Sequence, residues 1–298
     1  MIWKRLFNWK FWRWVLLSFV LLLFIFLHFL APSLIVSKRA SRTGYPSVTD
    51  YSLNVDTLIL ESHDGHKLYG LWCDANTPEV QGTILMIHGI GSCKDHFIPK
   101  AQWLANNGFN SVLVDLRGHG MSEGEYITYG FNEVPDLKLF LDCMTLHHHA
   151  NNIGVWGQSL GGAIGLQLMA ADDRVKFGII ESTYCTFDEV VHDYSYRMFG
   201  VPLGWLNDYV IWRAQSVAQF DKTNINPEEA CKKVHQPILL VHGTADDRID
   251  ITYGKRNFNA LASENKEFVQ IEGANHVNVW EVGGETYNKK CLEFLNNP

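Results

Sequence analysis

The sequence predicts an α/β fold with a mostly parallel, eight-stranded sheet flanked by helices, and three observations favour it. Strand-like and helix-like segments alternate from residue 57 to the C-terminus. Four later strand candidates contain the continuous apolar runs ILMI, SVLV, GII and ILLV, which are typical of parallel strands covered on both faces. A hydrophobic fraction of 47% beside 19% charged residues also allows a sizeable buried core.

The first element, in residues 1–36, is predicted to be a basic segment followed by a transmembrane helix. The run from Trp14 to Ala31 is apolar apart from Ser18 and His28. It is close to the roughly 20 residues that a helix needs to cross a bilayer. Indole rings favour the membrane interface. The tryptophans at the leading edge of the run are Trp3, Trp9, Trp12 and Trp14.

A cleaved signal peptide is the alternative interpretation of this segment. The apolar run is longer than a usual signal core, no A-x-A site follows it, and Pro32 comes directly after Ala31. Four basic residues precede the run and three follow it closely, so the positive-inside rule gives a small preference for a cytoplasmic N-terminus. We therefore expect a single-pass membrane protein with its main domain outside the cytoplasm.

Charge is distributed unevenly along the chain. Up to Arg42 there are seven basic residues and no acidic one, whereas the remainder holds 18 basic and 32 acidic residues. An acidic body argues against nucleic acid as a partner. The six cysteines form no C-x-x-C pair, and consecutive histidines at 147–149 would point in different directions on a helix. The sequence therefore calls for no metal or organic cofactor, and it leaves the oligomeric state open.

The remaining elements follow in order after a polar linker at residues 37–51. The strand candidates cover residues 57–61, 67–73, 83–87, 111–115, 153–156, 177–180, 238–241 and 267–271. The helix candidates cover residues 98–107, 133–147, 160–170, 253–262 and 287–295. An aromatic-rich stretch at residues 183–236 contains no clear strand, and it predicts a small helical insertion after the sixth strand. The main domain is thus expected to span residues 52–298.

The motif most informative about chemistry is Gly-Gln-Ser-Leu-Gly, with Ser159 at its centre. The strand candidate ends just before this serine, and the helix candidate begins at Leu160. A serine on such a strained strand-to-helix turn is exposed as a nucleophile, and the small neighbours allow the turn to pack closely. The motif therefore predicts that Ser159 is a catalytic nucleophile.

A serine hydroxyl needs a base, and the base needs an orienting acid. In sites of this kind the acid and then the histidine follow the serine in the chain. Asp246 follows the apolar strand candidate at 238–241, and His276 follows the one at 267–271. All three side chains would lie beyond the carboxyl ends of neighbouring strands, where open α/β sheets place their sites. Asp247 competes with Asp246 for the acid role, and the register of the motif favours Asp246.

Backbone amides are needed to hold the oxyanion of the tetrahedral intermediate. One donor usually belongs to the residue after the nucleophile, and another to a loop after an earlier strand. These positions select the amides of Leu160 and Ile90. Glycines on both sides of Ile90 would allow close backbone approach.

Together these residues resemble the α/β-hydrolase superfamily, from about residue 57 to the C-terminus. Besides the serine motif, the segment from Asp115 to Ser122 reads D-x-R-G-x-G-x-S, which is similar to a loop that this superfamily carries after its fourth strand. That loop is mostly structural there, so we assign no catalytic role to His119. The branch that the chain resembles is the serine-aminopeptidase-like hydrolases, which include relatives of monoglyceride lipase and lysophospholipase.

The resemblance implies an α/β-hydrolase fold, a Ser159–His276–Asp246 triad and a helical cap at residues 183–236. Together with the predicted membrane helix, it leads to the hypothesis of a membrane-anchored serine hydrolase that cleaves carboxylic esters through an acyl-enzyme, with a small-molecule or lipid-like ester as substrate. Two alternatives stay open. One is a serine peptidase related to aminopeptidases, and the other is a catalytically inactive hydrolase fold that acts as a scaffold.

Overall fold

The computed structural model describes residues 9–39 and 44–298. The basic residues and tryptophan at positions 1–8, and the part of the predicted linker at 40–43, lie outside the described residues. The first element is a continuous helix, α1, that extends from Trp9 to Val36 and is long and apolar enough to cross a membrane. A π-helical turn at Phe26–Leu30 separates its exposed first part, Trp9–Ile25, from a last segment, Ala31–Val36, that packs on the body.

The main domain is built on one eight-stranded sheet with the order β1-β2-β4-β3-β5-β6-β7-β8. Its strands are β1 Val55–Glu61, β2 Lys67–Cys73, β3 Gly82–Ile87, β4 Phe109–Val114, β5 Ile153–Gln158, β6 Val175–Glu181, β7 Ile238–Gly243 and β8 Lys266–Ile271. Strand β2 is antiparallel to both of its neighbours, and all other pairs are parallel. The predicted α/β-hydrolase fold class is confirmed.

Helices cover both faces of the sheet. The α-helices that follow α1 are α2 Ile98–Asn106, α3 Glu133–Leu146, α4 Leu160–Ala171, α5 Phe187–Phe199, α6 Trp205–Ala218, α7 Pro227–Cys231, α8 Ile251–Ala260 and α9 Val279–Asn296. Helix α9 begins earlier than the 287–295 segment that the sequence predicts, because it continues across a break at Gly284, where φ is 51°. The predicted helical insertion after the sixth strand consists of α5, α6 and α7, and we call α5 and α6 the cap helices.

The continuous apolar strands are explained by two hydrophobic cores, one on each face of the sheet. Along β3, Leu85 and Ile87 enter one core, whereas Ile84 and Met86 enter the other. Side chains alternate between faces along a strand, so a strand covered on both sides needs apolar residues at every position. The parallel arrangement brings the carboxyl ends of β5, β7 and β8 to one edge of the sheet.

A buried ion pair lies beneath this edge. The ammonium of Lys100 donates to both carboxylate oxygens of Glu181 at 2.9 Å. The indole of Trp156 and the hydroxyl of Tyr287 also donate to Glu181, at 2.9 and 2.8 Å. The backbone carbonyl of Glu181 accepts the amide N–H of Ser159 at 2.9 Å, so this cluster supports the serine turn.

Removing the Lys100 ammonium leaves the Glu181 carboxylate buried without its cation, so we expect Lys100→Met to lower the free energy of unfolding by about 3–5 kcal/mol. The matched control is Lys289→Met on α9, where the side chain is 79% exposed and the change should be below about 0.5 kcal/mol. Denaturant titration of both variants in the same detergent measures the difference. Equal midpoints for the two variants would contradict the expectation.

Candidate active site

Ser159 occupies a sharp turn between β5 and α4. Its backbone has φ 56° and ψ −117°, a conformation that L-residues rarely adopt. Glycine is required at positions 157 and 161 because a larger residue would overlap neighbouring backbone atoms. A Cβ on Gly161 would lie 1.9 Å from the carbonyl oxygen of Ile87, and one on Gly157 would lie 2.3 Å from the carbonyl oxygen of Gly161. The G-x-S-x-G spacing thus reflects close backbone contacts on both sides of the turn.

The structure brings Ser159, His276 and Asp246 together in one hydrogen-bonded chain. His276 Nε2 lies 2.8 Å from Ser159 Oγ, and His276 Nδ1 lies 2.8 Å from Asp246 Oδ2. With the Nδ1–H donated to the carboxylate, Nε2 has a free lone pair that accepts the serine hydroxyl. Asp246 follows β7 and His276 follows β8, which accounts for the meeting of residues 117 positions apart.

Asp246 is positioned by its own backbone neighbours. Its second oxygen, Oδ1, accepts the amide N–H groups of Arg248 and Ile249 at 2.9 Å each. Burial raises the pKa of this carboxyl, but the adjacent His242 and the hydrogen bonds from His276 and the Ile249 amide outweigh burial, so the pKa lies below its ordinary value. The carboxylate is therefore ionised at neutral pH. Its neighbour Asp247, the competing candidate, is exposed.

His242 is a residue of the site that the sequence reasoning did not single out. Its Nε2 lies 2.9 Å from the carbonyl oxygen of Ile249 and 3.4 Å from Asp246 Oδ2. It therefore contacts both the acid and the loop that holds the acid. The histidine precedes Asp246 by four residues, but it belongs to a buried strand, and a strand histidine gives no sequence signal for this contact.

The two predicted oxyanion donors lie beside the serine. Leu160 is the first residue of α4, so its amide has no partner within the helix. The preceding loop comes very close, since a Cβ on Gly89 would lie 3.2 Å from Ser159 Cβ. Ile90 and Leu160 both line the cavity into which Ser159 opens. Both residues therefore lie at the cavity that contains Ser159.

This cavity has a volume of about 330 Å³ and a mostly apolar lining. Of the aromatic residues in the insertion, Tyr184, Tyr194 and Phe199 line it. Phe187 and Phe220 instead pack in the core below. The cavity is also lined by the end of α1, which the sequence did not indicate.

The D-x-R-G-x-G-x-S loop is held by buried polar contacts. Asp115 accepts the backbone amide and the ammonium of Lys94 at 2.7 and 3.0 Å, and the amide of Met121 at 2.9 Å. Burial lowers the pKa of His119, whose Nδ1 lies 3.1 Å from the carbonyl oxygen of Arg117. These contacts hold the loop in place beside the site, which is a structural role.

Comparison with known proteins adds independent information. Residues 78–211 match the family described as serine aminopeptidase, S33. The α/β hydrolase domain-containing protein WAV2 of Arabidopsis thaliana is 27% identical over 264 residues, which cover 84% of this chain and 82% of WAV2. The monoglyceride lipase of Saccharomyces cerevisiae is 33% identical over 119 residues, or 38% of each chain.

A solved structure shows the same fold. The esterase Pf2001 of Pyrococcus furiosus superposes with a TM-score of 0.71 over 86% of this chain and 98% of the esterase, at 22% sequence identity. The eight-stranded sheet, the serine turn after β5 and the matching relatives agree with one another. The chain has the α/β-hydrolase fold, and its family match and relatives support membership of the α/β-hydrolase superfamily.

Proposed function

We propose that this protein is a membrane-anchored serine hydrolase that cleaves carboxylic esters through a Ser159–His276–Asp246 triad. The observation that carries the proposal is the continuous hydrogen-bonded chain from Ser159 to His276 to Asp246, with 2.8 Å at each step. An inactive scaffold would have no need to keep this chain at a strained serine turn that opens into a cavity.

The reaction follows from the geometry. Ser159 Oγ attacks the ester carbonyl carbon while His276 Nε2 takes its proton, and the Asp246 carboxylate stabilises the imidazolium. The amides of Ile90 and Leu160 donate hydrogen bonds to the oxyanion. The tetrahedral intermediate then collapses, and His276 gives its proton to the leaving alcohol. Water, deprotonated by His276, attacks the acyl-serine and releases the carboxylic acid and free Ser159.

The cavity favours an ester with an apolar acyl group over a peptide. An aminopeptidase needs an anionic group to hold the α-ammonium of its substrate. Among the described residues, no Asp or Glu side chain lines the cavity around Ser159. The cap contributes apolar groups such as Val191, Met198 and Leu206 instead. An acyl chain would be stabilised there, whereas a charged amino terminus would lose its hydration without compensation.

The contacts of the end of α1 support a retained anchor over a cleaved signal peptide. The carbonyl oxygen of Val36 accepts the amide of Ile127 at 2.7 Å, and that of Ile35 accepts the hydroxyl of Tyr129 at 2.8 Å. Val36 is fully buried. Cleavage before these residues would detach α1 from a segment that it continues as one helix. The basic residues ahead of the apolar run favour a cytoplasmic N-terminus, with the catalytic domain on the other side.

A fluorophosphonate probe tests the proposal on the full chain in detergent. We expect a covalent adduct that peptide mass spectrometry locates on Ser159, and hydrolysis of p-nitrophenyl esters without hydrolysis of aminoacyl p-nitroanilides. Labelling together with anilide cleavage would indicate a peptidase. A folded protein that neither labels nor hydrolyses either substrate would rule the proposal out.

A further inference from the structure

The cavity beside Ser159 is enclosed from three directions, and one of them is the N-terminal helix. From α1 come Phe26, Leu27, Ala31, Leu34 and Ile35. The cap helices contribute a second wall, and the serine turn with the loop around Ile90 forms the floor. Helix α1, which is apolar enough to cross a bilayer, therefore also forms part of the wall of the cavity that contains Ser159.

This wall is fixed by polar contacts on both sides. Toward the cap, His28 Nδ1 lies 2.7 Å from the hydroxyl of Tyr209, and Arg213 Nε donates to the carbonyl oxygen of His28 at 3.4 Å. Toward the main domain, Ile35 and Val36 are held by the backbone and hydroxyl contacts described above. The position of the wall is thus specified by directed contacts in addition to apolar packing.

The opening of the cavity is apolar and exposed. Leu34, Met198 and Phe199 line the cavity and are each at least half exposed. Val201 and Trp205, in the turn between the cap helices and at its end, are exposed as well. Large apolar side chains exposed in such number are unusual in contact with water. Leu34 lies on the helix that is long and apolar enough to cross a membrane, and this indicates that lipid covers these side chains.

We infer that the substrate is a membrane lipid ester whose acyl chain enters from the bilayer, between α1 and the cap, with Leu34 as a specificity-determining residue. The inference rests on the proposed function and names its substrate class. A volume of about 330 Å³ lies near the lower end of the roughly 300–1,000 Å³ typical of ligand pockets, which suits one acyl chain rather than two.

The wall is tested by Leu34→Trp in the full chain in phospholipid nanodiscs. The larger side chain narrows the opening, so hydrolysis of p-nitrophenyl palmitate should fall by about tenfold or more, and that of p-nitrophenyl butyrate by less than about threefold. The matched control is Leu30→Trp on the same helix. Leu30 is 56% exposed, against 53% for Leu34, but it does not line the cavity. Equal effects of the two variants, or equal losses on both esters, would overturn the inference.

The orientation of the opening is tested separately by fluorescence. The six native cysteines are all buried, so Met198→Cys can be labelled selectively with a polarity-sensitive dye. A lipid-borne quencher should quench this dye, but not the same dye at Lys289→Cys on α9. An unquenched dye at position 198 would show that the opening does not face lipid. If the wild type hydrolyses neither ester, the proposed function fails, while quenching still decides whether lipid covers the opening.

Discussion

Replacing Ser159 with alanine is expected to lower ester hydrolysis by about 10⁴–10⁶-fold and to abolish covalent labelling by a fluorophosphonate. Alanine removes only the Oγ atom that His276 activates at 2.8 Å. It keeps the Cβ, so the backbone at φ 56° is neither relieved nor strained further. The amide contact to Glu181 also remains, and the folded structure should survive. The ratio of kcat/KM values for the two proteins on p-nitrophenyl butyrate gives the effect.

Ser182→Ala is the matched control for this substitution. Ser182 is also buried at a positive φ, one residue after β6, and its hydroxyl has no hydrogen-bond partner among the described residues. Its loss should change hydrolysis by less than about threefold. Retention of more than about 1% of wild-type activity by a purified Ser159→Ala protein would mean that another group is the nucleophile.

The substitution Asp246→Asn is expected to lower kcat by about 10⁴-fold through the tautomer of His276. The two backbone N–H groups of Arg248 and Ile249 require an acceptor at the Oδ1 position, so the asparagine amide would place its NH₂ group toward His276. His276 Nδ1 must then accept, and its proton moves to Nε2. A protonated Nε2 cannot take the proton of Ser159.

The adjacent Asp247→Asn serves as the control, because Asp247 is exposed and lies outside the hydrogen-bonded chain. It should keep activity within about threefold of wild type. Kinetics of both variants on one ester, together with ¹H NMR of the hydrogen-bonded imidazole proton, separate tautomer loss from misfolding. A large loss in Asp247→Asn with little change in Asp246→Asn would reverse the choice between these two acids.

The parts of the site that the sequence predicts are those encoded by local patterns. The serine turn could be recognised from the glycines two positions before and after Ser159, and Asp246 and His276 could be selected because each follows a strand candidate. Other features depend on contacts between distant segments. Lys100 pairs with Glu181, 81 positions away, and His28 meets Tyr209, 181 positions away. The local sequence around these four residues gives no sign that they form these contacts.

The part of the cavity wall that α1 forms is a second feature that the sequence alone could not predict. The apolar run of α1 predicts a membrane helix, and the residues from Phe26 to Ala31, apart from His28, fit that interpretation. Which of them faces lipid and which faces the cavity is decided by how the helix packs on α6 and on Tyr129. That packing is a tertiary property, so periodicity within α1 alone does not reveal it.

The continuity of α1 has a consequence for how the protein would respond to its surroundings. Helices adjust to a thicker or thinner bilayer by tilting. If the first part of α1 lies in lipid, as proposed, while its last segment stays hydrogen-bonded to the main domain, the adjustment would be concentrated at the π-helical turn, Phe26–Leu30. Two of these residues, Phe26 and Leu27, line the cavity. Membrane thickness and lipid composition would thereby act on the width of the acyl pocket, so catalytic rate would vary with the bilayer at constant substrate concentration.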